Sequence, residues 1–500
     1  MKQNIEDLIN FEINNGVISR RDYNYVKNQI YSLLELENNN IMLTPQSITS
    51  PSDALDPILN ELETKHVLDG SQIARDLFDA KIMNVFTMLP SNIENHYHAL
   101  LKQHPKNPRK ATDWLYDYAK NVNYIREDRV LKNKSFSVDT RYGPLQITVN
   151  LSKPEKDPKS IALAAKNPAN SYPTCVLCPQ NEGFSGNASR DSRNQMRLLE
   201  ITLNKEKWFF QYSPYIYYNE HAIVLSNLHR PMEISNTTFS NLFSLLDQFE
   251  GYFFGSNADL PIVGGSILSH DHYQGGRHSF PIENAKIIKE WVFQQTCIQA
   301  LDWPLSTIRL IGKNTNELRK IANLVLLVWS NYSDEKLGLS SHTNGERHHT
   351  ITPIARKDKN VYTLDLVLRD NQTNEQYPLG IFHPHEDKWH IKKENIGLIE
   401  VMGLAILPAR LETELASIKG HILHNVPITE NIQKHVHWIN ELKKKHVFNE
   451  ENIDTILEQE IGRVFAEVLE DCGVYKSSNS LEFTKFVEEE IYDKLINKRI

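Results

Sequence analysis

With 500 residues, 40% of them hydrophobic and 24% charged, the chain has the composition of an ordinary globular protein and length for roughly two to four domains' worth of core. A net charge of -8 argues against a nucleic-acid protein, which would show a basic domain, and four cysteines are too few for a disulfide framework at this size. No apolar run approaches membrane-spanning length, and the start, Met1 to Leu8, lacks the apolar centre of a signal peptide, so a reducing, cytoplasmic location is expected.

Residues 1–130 read as a helical region. Ser19-Arg-Arg-Asp22 has the spacing of a capping box ahead of Tyr25, Val26, Ile30, Leu33 and Leu34, which recur at helical intervals. Further helical patterns fall at about 53–65, 71–88, 92–103 and 110–121, punctuated by Pro, Asn and Gly. From Ser135 the texture changes to alternation: Phe136 and Val138, then Leu145 to Val149, with Tyr142-Gly-Pro144 as the turn. Strands are predicted at 208–212 and 221–225, an amphipathic helix from Ser235 to Phe254, and a strand through 263–276, led in by the apolar run Leu260 to Leu268. This stretch, 131–290, is read as one half of an antiparallel α+β layer. A second half, 291–426, repeats the texture, with a helix at 315–331, strands at 348–355 and 361–369, the stretch Ile381-Phe-His-Pro-His385, and a helix around 394–406. Residues 427–500 return to charged amphipathic helices.

The chemistry gathers at His270-Asp-His-Tyr-Gln274. On a strand, alternate side chains share a face, so His270, His272 and Gln274 line one side while Asp271 and Tyr273 point to the other. Such a row at a glycine-bracketed strand end suits an anion. His272 is the candidate nucleophile, because neutral imidazole attacks phosphorus readily at neutral pH. Gln274, two residues on, can donate to a phosphoryl oxygen without adding charge. Glycines 264, 265, 275 and 276 would let the backbone approach phosphates. Cys175-Val-Leu-Cys178 has the spacing of two zinc thiolates, or of a redox pair. Pro173 before it and Pro179-Gln-Asn-Glu-Gly183 after it favour a knuckle turn. His229 and His270 are the best candidates to complete a closed, structural zinc site. Arg190, Arg193 and Arg197 follow the knuckle, and their forked guanidinium groups suit phosphate. His383-Pro-His385 is the rival His-x-His. Its neighbours Glu386 and Asp387 would repel a diphosphate, so a metal, structural or lesser substrate role is expected there. Arg347-His348-His349 is a further cluster that could lie nearby.

These residues resemble a known family. His270-Asp-His272-Tyr-Gln274 is similar to the His-x-His-x-Gln signature of the galactose-1-phosphate uridylyltransferases, in the histidine-triad superfamily. The wording of the second, bacterial class is matched by Cys175 to Cys178 with Asn181-Glu-Gly183, Trp208 to Pro214, Tyr218-Asn-Glu-His221, Gly255 to His272 and Gly397 to Pro408. Asp271 stands where the first class has Pro, as in the second class. Asn187-Ala-Ser189 and Asp191 depart from the basic run expected after Gly186. The resemblance implies a duplicated histidine-triad-like α+β fold, usually a homodimer. It implies a ping-pong exchange in which UDP-glucose gives its uridylyl group to His272, galactose 1-phosphate takes it, and Gln274 steadies the transferred group. It implies zinc on Cys175, Cys178, His229 and His270, and uridylyl-phosphate contacts from Asn257 and Ser266, with Arg193 and Arg197 fitting the basic run. The alternative is another histidine-triad nucleotide phosphorylase or hydrolase using the same histidine. The two differ in whether a hexose phosphate, or water or free phosphate, attacks the intermediate.

Overall fold

The computed structural model describes residues 1–37, 43–152, 172–187, 190–265 and 267–498, and among these, helices account for all regular structure before residue 133. They begin where side chains satisfy the first amides. The Ser19 hydroxyl accepts from the Arg21 amide and Asp22 accepts from the Ser19 amide, both at 3.1 Å, which is the reciprocal box the sequence predicts. Asp53 does the same ahead of Pro51–Thr64, accepting from the amides of Thr49 and Ser50 at 2.8 and 3.0 Å. Pro51 opens that helix, where its missing N–H costs nothing. Helix Lys2–Asn14 packs on Pro51–Thr64, and Ile5, Leu8, Ile9, Leu55, Ile58 and Leu59 are all buried. Each such side chain contributes roughly 1.5–3 kcal/mol.

The chain forms two compact units, Met1–Lys132 with Ser152–Arg230, and Asn133–Leu151 with Pro231–Ile500. The second unit begins with a hairpin, β1 (Lys134–Thr140) and β2 (Gly143–Asn150), antiparallel across the expected turn, where Thr140 faces Gly143. The first unit then adds β3 (Leu199–Leu203), β4 (Glu206–Tyr212) and β5 (Ala222–Ser226), also antiparallel, with Trp208 opposite Ile201 and Ser226. β4 and β5 are the two strands the sequence predicts.

After Pro231 the second unit runs through helix Asn236–Gln248, β6 (Phe253–Gly255) and β7 (His272–Gly276). Next come β8 (Lys286–Phe293), β9 (Thr296–Asp302), β10 (Thr307–Gly312), helix Thr315–Asn331 and the small hairpin β11 (His342–Thr343) and β12 (Glu346–Arg347). The long pair β13 (His349–Asp358) and β14 (Val361–Asp370) follows. Within this unit the sheet order is β7-β6-β13-β14-β10-β9-β8, antiparallel throughout. β15 (Leu404–Pro408) joins β2 in parallel instead. Helices Arg410–His424, Val436–Lys445 and Ile453–Cys472 come after it. The fold class is α+β, as the sequence predicts.

Three local expectations change. The strand through 263–276 begins only at His272; Leu260 to Val263 form turns, and Ile262 takes φ +73°, a region β-branched residues avoid. The helix around 394–406 is one turn, Leu398–Val401, followed by β15. Gly403, at φ +97°, ends that turn, and Leu404 to Leu407 read as helical only because a short apolar run is ambiguous between the two periods. The helix expected to reach Phe254 stops at Gln248, and Phe253 and Phe254 pair as β6.

One buried charge cluster ties the sheet together. Asp365 is fully enclosed, receives Arg309 Nε and an Arg356 Nη, each at 2.6 Å, and so links β10, β13 and β14. Burial pushes its carboxyl up, but Arg356 and Arg309 outweigh that and hold it below the usual carboxylate range.

Candidate active site

In the first unit, the Cys-x-x-Cys stretch folds as the knuckle its prolines suggest. The Cys178 amide donates to the Cys175 carbonyl, and the Leu177 amide approaches Cys175 Sγ at 3.4 Å. Asn181, in the turn Pro179–Asn181, staples the loop by donating to the carbonyls of Cys175 and Cys178 at 2.7 and 2.8 Å. The sulfurs stand 3.5 Å apart, and Cys178 Sγ is 3.3 Å from His229 Nδ1. Tetrahedral zinc with ordinary bond lengths would want about 3.8 Å between sulfurs and about 3.5 Å from sulfur to nitrogen. The ligand atoms of Cys175, Cys178 and His229 all lie within 4.8 Å of one another, so these residues fit a metal. Burial pushes the Cys178 thiol up, which a bound cation would reverse.

In the second unit, β7 carries the reactive row. His272 and Gln274 share one face. Tyr273 takes the other, where its hydroxyl accepts from Asn241 at 3.0 Å. β6 sets the register, with Gly255 opposite Gln274 and Phe254 opposite Gly275. His272 is buried, and its Nδ1 lies 2.8 Å from the His270 carbonyl oxygen. A carbonyl only accepts, so Nδ1 carries the hydrogen and Nε2 keeps its lone pair. Burial pushes the ring's pKa down to about 4, against the carbonyl's opposing pull, so the imidazole is neutral at pH 7. A desolvated neutral imidazole of fixed tautomer can attack an electrophilic phosphorus through one defined nitrogen.

The loop between β6 and β7 holds Asn257, whose Oδ1 accepts from the Leu398 amide at 2.8 Å. Ser266 lies outside the described residues. Asp259, at the base of the loop, accepts from the Ile234 amide at 3.0 Å, from Arg347 at 3.0 Å and from the Thr350 hydroxyl. Gly264 and Gly275 leave no room for a side chain. A Cβ at Gly275 would come 2.3 Å from the Phe254 ring, and one at Gly264 would come 2.6 Å from two carbonyl oxygens.

The other residues singled out by the sequence have protein partners. Arg197 donates from Nε to the Met88 carbonyl, from Nη1 to the carbonyls of Asn194 and Met196, and from Nη2 to the Thr87 hydroxyl. Arg193 exchanges backbone hydrogen bonds with Gly183 and Phe184, and its guanidinium lies 3.7 Å from Asp191. Arg190 donates to the Pro173 carbonyl. His383 meets Asn395 Oδ1 at 3.1 Å, and His385 stacks on Tyr377 and faces Asp471 at 3.3 Å. His349 stacks on Trp329 with its Nε2 3.1 Å from Asp370, and His348 faces Asn371 at 2.9 Å. Sequence reasoning missed the contribution of Gly397 to Glu400, whose backbone holds Asn257. The Gly-x-x-Glu spacing was the available signal, hidden by its reading as mid-helix.

Fold and site thus define an α+β protein that presents a tautomer-fixed histidine and a glutamine on one strand face, with a separate Cys₂His group able to hold a metal. The model of the galactose-1-phosphate uridyl transferase N-terminal domain matches residues 18–231, and that of the C-terminal domain matches residues 245–440. The chain belongs to the galactose-1-phosphate uridylyltransferase family. It is 47% identical over 495 residues to the galactose-1-phosphate uridylyltransferase of Clostridium acetobutylicum, covering 97% of this chain and 98% of that protein. It is 48% identical to that of Ligilactobacillus salivarius, over 94% of each chain. Among solved structures, yeast Ap4A phosphorylase Apa2 in complex with Ap4A aligns over 70% of this chain and 96% of that one, at 10% identity and a TM-score of 0.35.

Proposed function

We propose that this chain exchanges UMP between UDP-glucose and galactose 1-phosphate, giving glucose 1-phosphate and UDP-galactose, through a uridylyl group carried on His272. The observation that carries this reading is the 2.8 Å hydrogen bond from His272 Nδ1 to the His270 carbonyl, which leaves Nε2 as the attacking atom. Nε2 attacks the uridylyl phosphorus of UDP-glucose, the P–O bond to the second phosphate breaks, and glucose 1-phosphate leaves with the electron pair. The positive charge that develops on the ring is shared with the His270 carbonyl through Nδ1–H. A phosphate oxygen of galactose 1-phosphate then attacks the same phosphorus, the P–N bond breaks, and its electron pair returns to a neutral imidazole. Gln274, on the same strand face, donates from its amide to a phosphoryl oxygen as charge builds. Asn257 supplies further amide donors to the uridylyl phosphate, and Ser266 a hydroxyl. Arg193 is kept as a phosphate contact, whereas Arg197, committed to four protein acceptors, acts by holding residues 194–197 to Thr87 and Met88.

Zinc is proposed on Cys175, Cys178, His229 and His270, as a closed structural centre that would fix the knuckle. His270 and Cys178 are buried, Cys175 is half-buried and His229 is exposed. The enzyme is further read as a cytoplasmic homodimer whose cysteines form no disulfide. The family match and full-length relatives support the substrates.

The test uses UDP-glucose labelled in the uridylyl phosphate, without acceptor. Acid-labile label should remain on the wild type and be absent from His272→Ala. Galactose 1-phosphate should then discharge it as UDP-galactose. Discharge to UMP by water alone would favour the hydrolase alternative, and an unlabelled, folded wild type would end the proposal.

A further inference from the structure

The Gly397-Leu-Ile-Glu400 motif carries no group suited to phosphoryl transfer, yet it meets Asn257 and β6 directly. The Asn257 amide lies between two glycines. A Cβ at Gly265 would stand 2.5 Å from its Nδ2, and one at Gly397 would stand 3.1 Å from its Oδ1. The Leu398 amide can only donate, so the atom 2.8 Å from it is the oxygen, and the Nδ2 hydrogens are turned toward the Gly265 side. The Leu398 side chain also reaches β6, where a Cβ at Gly255 would meet it at 2.8 Å. Gly255 is the residue opposite Gln274. One short turn therefore contacts both the Asn257 amide and the backbone facing the glutamine.

That turn is braced by buried polar groups. Glu400 accepts from the Gly397 amide at 3.2 Å and from Lys392 at 3.0 Å, and Lys392 also donates to the Ile406 carbonyl at 3.2 Å. Arg369 donates to the Ile396 carbonyl at 2.9 Å, and His383 meets Asn395 at 3.1 Å. Lys392 is 4% exposed and Arg369 1%. Enclosing two cations is costly, and a stretch of chain that only needed a helix start would not require it. The arrangement is that of a backbone segment whose position must not drift.

We propose that the turn Asn395–Glu400, braced by Lys392, Arg369 and His383, is the device that positions the Asn257 amide for the nucleotide's phosphate, with Glu400 as its key positioning residue. This rests on the reading of Asn257 as a uridylyl-phosphate contact. The second His-x-His thereby gains a function without a metal: its first histidine steadies the turn.

The experiment is a double-mutant cycle on the full-length enzyme, following formation of the labelled uridylyl-enzyme from UDP-glucose by rapid quench. Glu400→Gln keeps an acceptor for the Gly397 amide but removes the charge that fixes Lys392. It is expected to lower the second-order rate of label uptake about tenfold, because small misplacement of a contact is enough for that loss. In an Asn257→Ala background the same substitution should have no further effect. Gly265→Ala, which pushes the amide from the opposite side and leaves the Lys392–Glu400 pair intact, should reproduce the loss even if Glu400→Gln folds poorly. Fully additive effects of Glu400→Gln and Asn257→Ala would overturn the positioning role while leaving Asn257 as a contact. Unchanged label uptake in Asn257→Ala would instead remove the contact itself.

Discussion

A backbone carbonyl decides which nitrogen of His272 can react. That His272 and Gln274 share a face was legible from alternation, and Tyr273 does occupy the opposite one, held by Asn241, whereas His270 lies in a bend before β7 begins. The tautomer was not legible, because it depends on where the His270 carbonyl points, a property of the loop leading into β7. Gln274→Ala should leave the fold intact and slow formation of the uridylyl-enzyme by about 10²–10³, the usual loss for one preorganised donor to a developing oxyanion, as measured by rapid quench. An effect confined to UDP-glucose affinity, with the rate at saturation unchanged, would assign Gln274 to ground-state binding instead. The packing part of the glycines' roles was not legible in the sequence. Gly275 makes room for the Phe254 ring and Gly265 for the Asn257 amide, contacts between residues that local sequence pattern does not pair.

At the scale of elements, the helices of the first 130 residues could be read because caps and periodicity are local. Ser19 with Asp22 forms where the sequence marks it, and Ser50 with Asp53 caps the next helix in the same way. The stretch 394–408 could not be read in the same way. Its turn is ended by Gly403, and its strand exists because β2 offers an edge more than two hundred residues earlier in the chain. The edge strand β8 was missed for a related reason: most of its residues, Lys286 to Glu290 among them, are exposed, so no face of it alternates. Asp365 holds two guanidinium groups in the sheet. Replacing it with Ala strands Arg309 and Arg356 around an empty position and should cost about 3–5 kcal/mol in urea unfolding. Because its folded pKa is depressed below 3.8, the stability it contributes is present above that value and lost as pH falls through the lower, folded one. Wild type and Asp365→Asn should therefore converge in stability on acidification below about pH 4. A gap that persists undiminished would mean the loss comes from packing rather than charge.

For the whole molecule, the family follows from two domain models and relatives matched over nearly their full length, and the sequence motifs had pointed to that family. The metal remains to be measured on the protein itself. Zinc should be stoichiometric in the purified enzyme and lost in Cys175→Ser with Cys178→Ser. Its removal by chelator should lower the melting temperature, since binding to the folded state alone is folding energy. Retention of zinc by the double variant would refute the ligand set. Nε2 of His272 is the atom proposed to carry the transferred group. That assignment is tested most directly by phosphorus–nitrogen NMR on the uridylyl-enzyme formed from UDP-glucose with nitrogen-15 histidine throughout. A single phosphoramidate coupled to the Nε2 of His272, with Nδ1 still protonated, is expected. Coupling to Nδ1, or to any other histidine, would contradict it.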